Sequence, residues 1–262
     1  MNLTNKTIWI TGTSSGVGEA LVKELSKQKV NLIISARRLE ELERVKAASQ
    51  KTAKIEILTL DLTQSESFES TTQKAIQLFG KVDILINNGG ISQRSMVVDT
   101  TLDVDRRLME VNYFGTVGLT KALLPHMLQN GRGHVLTVTS LTGKFGTPWR
   151  SGYAASKHAL HGFFDSMRAE LEDQGITVTL AALGFIRTNL SKMALVGDGS
   201  VNGSSDDTHT NGMDPHTCAL KIIKALRNEK REVYIGKESY AAYVKCYLPS
   251  LFARLIKKAK VR

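Results

Sequence analysis

Apolar and amphipathic stretches alternate along most of the chain. The run "KTIWIT" (6–11) is short, apolar and rich in β-forming residues, whereas "VGEALVKELSKQ" (17–28) carries apolar residues at helical spacing. This pair of patterns recurs about six times, and "ITVTLAAL" (176–183) is the last strand of the series. Continuous apolar strands separated by amphipathic helices are typical of a parallel sheet covered on both faces. The pattern therefore predicts an α/β fold with a single doubly wound parallel sheet of the Rossmann type and helices on both faces.

The alternation stops after the sixth strand. Gly, Ser, Asp and Thr dominate residues 196–215, which indicates a long loop. Because this loop leaves the carboxyl edge of the sheet, where ligands bind in such folds, we expect a substrate loop at about 190–215, with a disordered insertion as the alternative. We expect residues 1–236 to form one domain and residues 237–262 to form a basic amphipathic extension.

Composition excludes several classes of protein. A chain of 262 residues can bury a large core without disulfides or metals. Cys218 and Cys246 are too few for a disulfide framework and too far apart for a metal motif, so we expect no metal. The N-terminal residues lack a signal-peptide pattern, and no run approaches the roughly 18 apolar residues of a spanning helix. These features favour a cytoplasmic location.

Positive charge is concentrated in the C-terminal extension. The formal net charge is +10, and residues 237–262 hold seven Lys or Arg against one Glu. One helical face is expected to be shared by Leu251, Phe252, Leu255 and Ile256. This segment could contact an anionic membrane surface, or its apolar residues could pack on the domain or on a sister subunit. Nucleic-acid binding is disfavoured, because the chain lacks interleaved aromatic platforms and a recognition motif.

A glycine-rich segment, "TGTSSGVG" (11–18), joins the first strand to the first helix. Gly12 permits a tight turn, Gly16 lets the backbone approach a phosphate, and Gly18 allows close packing of the helix. The free N–H groups at the start of the helix suit a pyrophosphate. An ordinary glycine-rich turn is the alternative, and the strand before and helix after the segment favour a dinucleotide site.

The residues after the second strand select the form of the cofactor. A site for NAD needs a carboxylate there, which binds the ribose 2′-hydroxyl. The sequence instead has Ala36 followed by Arg37 and Arg38. Two guanidinium groups suit the 2′-phosphate of NADP(H), so we predict that cofactor. Arginines that point into water are the alternative.

Tyr153 and Lys157, in "YAASK" (153–157), lie about one turn apart on one face of a predicted helix. A free tyrosine has a pKa of about 10, which is too high for proton transfer near neutral pH. A neighbouring cation lowers this pKa by favouring the phenolate, so the pair suits a general acid and base. Taken singly, each residue is more often a packing or surface residue.

Six short motifs occur in the order and spacing of a known family: "TGTSSGVG" (11–18), "DL" (61–62), "NNGG" (87–90), "VN" (111–112), "TSLTG" (139–143) and "YAASK" (153–157). Over roughly residues 5 to 195 the chain resembles the short-chain dehydrogenase/reductase family. The run "DTTLDVDRRLMEVNYFGTVGLTKALLPHM" (99–127) further resembles the member-7 branch of the mammalian dehydrogenase/reductases, some of which associate with membranes. The resemblance implies that residues 1–236 form a dinucleotide-binding and catalytic domain.

The resemblance also implies roles for individual residues. Tyr153 would be the general acid or base, Lys157 would also bind the nicotinamide ribose, and Ser140 would hydrogen-bond the substrate oxygen. Asn112 would interrupt its helix and hold a water in a proton route from Lys157. The implied cofactor contacts are Gly12, Ser14, Ser15, Gly16, Val17, Gly18, Arg37, Arg38, Asp61, Leu62, Asn88, Gly89, Gly90, Tyr153, Lys157, Ile186 and Thr188. Family members often form homodimers or homotetramers through the helix that bears this tyrosine.

Two positions depart from the family pattern. Gly89 stands where the family usually has Ala, and Leu183 stands where it usually has Pro. These changes bear on cofactor affinity more than on the chemistry. They favour, by themselves, a cofactor-binding regulatory protein with little or no turnover, which we keep as the alternative function.

The predicted reaction is the NADP(H)-dependent interconversion of a carbonyl and a secondary alcohol by hydride transfer. The complete set of Asn112, Ser140, Tyr153 and Lys157 favours an enzyme over the regulatory alternative. The expected substrate pocket is built from Leu141, Thr142, Phe145, Trp149 and residues 190–215. Because this lining is largely apolar, we expect a lipophilic small molecule as the substrate.

Overall fold

The computed structural model describes residues 1–204 and 210–257. In this part of the chain, seven parallel strands form one sheet in the order β3-β2-β1-β4-β5-β6-β7. The strands are β1 (Thr7–Thr11), β2 (Asn31–Ser35), β3 (Lys54–Ile57), β4 (Ile84–Asn87), β5 (Gly133–Ser140), β6 (Ile176–Leu183) and β7 (Glu232–Ile235). The chain runs outward from β1 to β3 and then returns to place β4 on the other side of β1. This order confirms the predicted doubly wound sheet.

Helices cover both faces of the sheet. Those that connect the strands are α1 (Gly16–Leu25), α2 (Leu39–Ala47), α3 (Phe68–Phe79), α4 (Leu102–Met109), α5 (Gly115–Gln129), α6 (Ser151–Leu171) and α7 (Pro215–Arg227). Successive strand residues point to opposite faces. Ile8 and Ile10 accordingly pack with α1 and α7 in one buried cluster, whereas Trp9 packs with α3, α5 and α6 in another.

A single amphipathic run over residues 102–128 divides into two helices. A π-helical turn, Glu110–Phe114, separates α4 from α5 and places Asn112 at its centre. Such turns are frequent at functional sites, because the extra residue redirects a side chain out of the regular helical pattern. The interruption at Asn112 agrees with the expectation from the sequence.

The C-terminal extension folds back onto the carboxyl edge of the sheet as α8 (Tyr240–Tyr247) and α9 (Pro249–Ile256). The four apolar residues that were expected to share one face lie in α9, and the domain covers two of them. Phe252 and Ile256 pack against the cluster of Leu141, while Leu251 and Leu255 are exposed. Adjacent positions of a helix diverge by about 100°, so a wide apolar face divides between the domain and solvent. The basic residues Lys258, Lys260 and Arg262 lie outside the described residues.

The predicted substrate loop is held against the domain where the structure describes it. The Leu195 N–H donates to the Ser92 carbonyl at 2.9 Å, and the Arg94 N–H donates to the Leu195 carbonyl at 2.8 Å. The Thr101 N–H donates to the carbonyl of Gly197 at 2.9 Å. Residues 205–209 of this loop lie outside the described residues.

Within residues 1–204 and 210–257, none of the helices combines the length and the apolar character that a membrane crossing requires. The same residues contain no cluster of three or more His, Cys, Asp or Glu side chains arranged to hold a metal ion.

Candidate active site

A cavity of about 1000 Å³ opens at the carboxyl edge of the sheet. It collects nearly all of the residues that the sequence singles out. Its walls include Gly12, Ser14, Ser15, Gly16, Val17, Arg37, Arg38, Asp61, Leu62, Asn88, Gly89, Gly90, Ser140, Tyr153, Lys157, Ile186 and Thr188. Gly18 and Asn112 do not line the cavity and lie behind its wall.

The glycines after β1 bring two segments of backbone into close contact. Gly12 has φ of +69°, and a Cβ there would lie 2.6 Å from the Gly89 Cα. A Cβ at Gly18 would lie 2.1 Å from the Gly12 carbonyl oxygen. Only glycine fits either position, so the turn and the start of α1 are fixed close to the segment after β4.

The segment after β4 is tied to β1 by hydrogen bonds. The Asn88 side-chain amide donates to the Thr11 and Gly12 carbonyls at 3.1 and 3.0 Å, and the Gly89 N–H donates to the Thr11 hydroxyl at 3.0 Å. A Cβ at Gly89 would lie 2.9 Å from the Leu62 Cδ1. Gly89, which stands where the family usually has Ala, therefore lets the Leu62 side chain lie close to the backbone.

The second departure lies within regular structure. Leu183 ends β6, is buried, and pairs with Ile235 of β7. The Gly184 N–H then donates to the Ile235 carbonyl at 2.7 Å. Leu183 thus extends the sheet by one paired residue before the chain turns toward Ile186 and Thr188.

The carboxyl end of β2 presents a basic edge. Ala36 follows the strand, and Arg37 and Arg38 are exposed at the wall of the cavity. Asp61, at the neighbouring strand end, accepts hydrogen bonds from the Thr63 N–H and hydroxyl at 3.0 and 2.9 Å. The Asp61 carboxylate is thereby engaged within its own turn.

Tyr153 and Lys157 are both buried on α6, at 9% and 5% exposure. The Lys157 Nζ lies 5.8 Å from the centroid of the Tyr153 ring and donates to the Val138 carbonyl at 3.2 Å. Burial lowers the pKa of the Lys157 ammonium to about 8. The helical spacing in the sequence thus corresponds to a close phenol and ammonium pair in the cavity wall.

The pKa of the Tyr153 hydroxyl is raised from its ordinary value, because burial disfavours the phenolate. A hydrogen bond with Ser140 and the charges of Arg150 and Arg94 oppose this effect without cancelling it. The expectation of a lowered pKa is therefore wrong for this arrangement. The sequence places a cation one helical turn from the phenol but does not show how deeply the phenol is buried.

Ser140 ends β5 and holds a 3₁₀ turn, Leu141–Gly143, at the mouth of the cavity. Its hydroxyl accepts from the Thr142 N–H and hydroxyl at 3.1 and 2.9 Å and donates to the Leu183 carbonyl at 3.3 Å. It also hydrogen-bonds Tyr153. These contacts fix the Ser140 hydroxyl beside the phenol.

Asn112 is completely buried at the π-helical turn. Its amide oxygen accepts from the Ile91 N–H at 2.8 Å, and its amide nitrogen donates to the Ile91 carbonyl and the Ser156 hydroxyl, each at 3.0 Å. The side chain therefore clamps the segment after β4 to α6. Its observed partners are protein groups, and the water expected from the family resemblance stays a prediction.

Two charged cavity residues were not recognised from the sequence. Arg150 is 3% exposed, precedes α6, and lies with its guanidinium carbon 5.2 Å from the centroid of the Phe185 ring. Glu238 brings a carboxylate to the backbone of Gly184 from the far end of the chain. An arginine three positions before Tyr153 of "YAASK" is the one local signal that could have indicated the first of these.

The outer part of the cavity is apolar. Leu141, Thr142 and Phe145 line it as expected, but Trp149 does not. Trp149 has φ of +70° and is absent from the residues that line the cavity. The remaining apolar lining comes from the loop and the C-terminal helices, namely Leu190, Met193, Leu195, Val201, Tyr240, Ala241, Val244, Phe252, Leu255 and Ile256.

The inner part of the cavity fits a nicotinamide dinucleotide. Gly16 has φ of +61°, and its missing Cβ leaves the start of α1 open beside Thr188. In the described structure, the residue before the helix, Ser15, makes no side-chain bond to the first helical N–H groups. A Cβ at Gly90 would lie 2.9 Å from the Asn112 Oδ1 and 3.5 Å from the Lys157 Nζ, so glycine keeps this segment close to both side chains. A helix N-terminus without a cap, next to a cradle free of side chains, suits a pyrophosphate.

A family model described as short chain dehydrogenase matches residues 6–195. Dehydrogenase/reductase SDR family member 7 of Homo sapiens is 42% identical over 258 residues, which cover 95% of this chain and 76% of that protein. Member 7B of Bos taurus is also 42% identical, over 96% of this chain and 80% of its own length. The member 7-like protein of Drosophila melanogaster is 41% identical, with coverage of 99% and 82%.

Solved structures share the fold. A short-chain dehydrogenase from Streptomyces avermitilis has a TM-score of 0.81 at 29% identity, over 97% of this chain and 96% of that one. An enzyme of the same family from Burkholderia phymatum, in complex with NAD, has a TM-score of 0.82 at 18% identity and the same coverage. The family-model match over residues 6–195 and the relatives at about 42% identity show that the chain belongs to the short-chain dehydrogenase/reductase family of oxidoreductases, in its member-7-like branch.

Proposed function

We propose that the protein is an NADP(H)-dependent oxidoreductase that interconverts a lipophilic carbonyl compound and the corresponding secondary alcohol. This proposal rests on one observation: Ser140, Tyr153 and Lys157 all line the cavity that also contains the glycine cradle, which is formed by Gly12, Gly16, Gly89 and Gly90. The regulatory alternative loses support, because Gly89 and Leu183 are both accommodated by their surroundings.

The chemistry that a nicotinamide cofactor supplies, when bound, is hydride transfer. Ser140 would hydrogen-bond the carbonyl oxygen of the substrate and hold it beside Tyr153. Because burial keeps the Tyr153 pKa high, the phenol is protonated near neutral pH and can donate its proton to that oxygen. Lys157 and Arg150 would stabilise the phenolate left behind. In the reverse direction the phenolate would accept the proton of the alcohol.

The preference for NADP(H) is supported by the basic edge after β2. Arg37 and Arg38 reach the cavity wall, and Ala36 occupies the position of the carboxylate that an NAD site needs. The fold itself does not select between the two cofactors, since one similar structure holds NAD and another, from Thermococcus sibiricus, holds 5-hydroxy-NADP.

The class of substrate is supported by the outer lining. Phe145 and Phe252 contact edge to face, with ring centroids 5.3 Å apart, beside Leu141. A wall of this kind favours an apolar substrate body, whose carbonyl would point inward to Ser140.

Turnover of NADPH with a panel of lipophilic and small carbonyl compounds tests the proposal. Tyr153→Phe is expected to abolish turnover while cofactor binding, followed by fluorescence, is retained. Tyr247→Phe is the matched control, because Tyr247 is 76% exposed and does not line the cavity. Binding of NADPH without turnover of any compound would favour the regulatory alternative, and turnover that survives in Tyr153→Phe would exclude the proposed role of this phenol.

A cytoplasmic protein with peripheral membrane contact is the location we propose. Leu248 and Leu251 are exposed beside the basic Lys245 and Arg254, which suits an anionic lipid surface. We expect the protein to pellet with phosphatidylserine vesicles more than with phosphatidylcholine vesicles, and the double variant Leu248→Glu, Leu251→Glu to remain in the supernatant. Equal pelleting of both proteins would refute lipid contact through this face.

A further inference from the structure

Gln93 follows the glycine cradle and is completely buried. Its side-chain amide oxygen accepts hydrogen bonds from the backbone N–H groups of Gly152 at 2.8 Å and Tyr153 at 3.2 Å. Backbone N–H groups only donate, so the atom on which both converge is the oxygen of the amide. The amide nitrogen donates to three hydroxyls: Ser95 at 3.1 Å, Thr100 at 3.0 Å and Ser151 at 3.3 Å.

These bonds provide α6 with a cap that its own sequence lacks. The side chain of the residue before a helix ordinarily accepts a hydrogen bond from the second or third helical N–H group. That residue is Arg150, which has no acceptor and makes no side-chain cap bond to the helix. Gly152 and Tyr153 are the second and third residues of α6, and Gln93, about sixty positions earlier, satisfies both.

The segment that carries Gln93 is itself fixed to the rest of the site. Two residues before it, the backbone of Ile91 is clamped by the buried side chain of Asn112. On either side of it, backbone hydrogen bonds join Ser92 and Arg94 to Leu195, which packs against Tyr153. The first turn of α6 is thereby held to the same segment that forms the cradle for the cofactor.

We propose that Gln93 is a positioning residue for the proposed reaction: by capping α6 it sets the place of the Tyr153 phenol relative to the cradle. The proposal rests on the assignment of Tyr153 as the proton donor. Tyr153 lies in the first turn of its helix, where an uncapped helix frays. A displacement of roughly 1 Å in a reacting group can cost on the order of a hundredfold in rate, so this hydrogen bond bears directly on turnover.

Two variants of Gln93 separate the cap from simple packing. Gln93→Met has nearly the same length but neither donates nor accepts, whereas Gln93→Glu keeps acceptor oxygens for the two N–H groups. We expect Gln93→Met to lower kcat at least about tenfold with the KM for NADPH unchanged, and Gln93→Glu to stay within about threefold of the wild type. Thr100→Val removes one of the hydroxyls that accept a hydrogen bond from the amide nitrogen, and it should lower kcat by a smaller factor than Gln93→Met. This milder variant provides the test if Gln93→Met does not fold.

Thr179→Val is the matched control, because Thr179 is buried, hydrogen-bonds His134 at 2.8 Å and does not line the cavity. It should lower the melting temperature without changing kcat. The proposal is wrong if Gln93→Met destabilises the protein like the control but leaves kcat unchanged, or if Gln93→Glu loses as much activity as Gln93→Met.

A measurement without turnover keeps this result apart from the proposed function. Hydrogen exchange at the amides of Gly152 and Tyr153 should accelerate in Gln93→Met and stay slow in Thr179→Val. Inactive wild-type protein would refute the proposed function and still leave the cap testable by exchange. Unchanged exchange in Gln93→Met would refute the cap, whatever the activity.

Discussion

At the scale of single residues, the buried environment of Lys157 disfavours the positive charge that its proposed role requires. Burial lowers its pKa from 10.5 to about 8. The shift corresponds to roughly 3 kcal/mol of destabilisation at neutral pH, where the ammonium is charged in both the folded and the unfolded chain. Enzymes commonly lose some stability because they hold a reactive group in an unfavourable environment.

Lys157→Met is therefore expected to raise the free energy of unfolding at pH 7 and to abolish turnover. The unfolded wild type binds more protons than the folded protein between about pH 8 and 10.5, so wild-type stability gains from this residue as the pH rises through that window. The advantage of the variant should shrink over the same range. Denaturant unfolding at pH 7 and pH 10 measures it, and an advantage that stays constant would contradict the burial argument.

Arg37 and Arg38 carry the second prediction at this scale. The double variant Arg37→Ala, Arg38→Ala should weaken NADPH binding by at least about tenfold, because under the proposed preference each guanidinium would donate a charge-assisted hydrogen bond to the 2′-phosphate. NADH has no such phosphate, so its affinity should change little. Titration of both cofactors by fluorescence measures the two losses. Equal losses for NADPH and NADH would exclude selection by this edge.

Residue-level prediction succeeded where the signal is local. Tyr153 and Lys157 are separated by one helical turn, so their spacing alone places them together. The roles of Gln93 and Arg150 depend on segments that meet only in the folded chain, and a lone Gln has no local pattern that marks a cap. The direction of the Tyr153 pKa was missed for the same reason, because burial is a property of the fold.

At the scale of elements, the helix pair α8 and α9 forms the outer wall of the cavity. Phe252 packs on Phe145 inside, whereas Leu251, one position earlier, is 45% exposed. Phe252→Ala should raise the KM for lipophilic carbonyls several-fold and leave the KM for NADPH unchanged, since the cradle lies elsewhere in the cavity. The burial of a phenyl ring supplies the affinity that is lost.

Leu251→Ala is the matched control for this prediction. It removes a similar apolar volume from the same helix but on the exposed side, so steady-state kinetics should match those of the wild type. If both variants raise the KM alike, the effect reflects general loosening of α9 and the wall does not select the substrate.

Element-level prediction from the sequence was accurate for strands and incomplete for the C-terminal helices. Continuous apolar runs can be buried only within the sheet, so their pattern specifies their place. An amphipathic helix pattern shows that one face is covered without showing by what. The sequence therefore predicted α9 but left open whether lipid, a second subunit or the domain covers it, and the structure places Phe252 and Ile256 on the domain.

At the scale of the whole molecule, the π-helical turn at Glu110–Phe114 exposes an aromatic side chain, and the neighbouring helix α6 exposes small residues. Phe114 is 52% exposed, and Tyr113 contacts both Phe114 and Phe163 edge to face, with ring centroids 5.1 and 6.4 Å apart. Ala155 and Gly162 are exposed on α6. This face is where the expected homodimer or homotetramer would associate.

If the wild-type protein associates through this face, Gly162→Trp should make it a monomer. A Cβ at Gly162 meets nothing within 4 Å, so the variant should fold normally while the indole blocks the face. Light scattering after size-exclusion chromatography measures the mass, and Glu69→Trp on α3 serves as the control. A wild type that is already monomeric, or a variant of unchanged mass, would refute this interface.

The position of α8 and α9 also has a consequence for the order in which the molecule is made. The cradle and the proton-transfer residues lie between Gly12 and Thr188, whereas the outer wall depends on residues from Glu238 to Ile256. During synthesis on the ribosome all of these cofactor-side residues are therefore translated before the C-terminal part of the substrate side. Nucleotide that binds only to folded protein would stabilise the nascent domain by mass action before a substrate could be held.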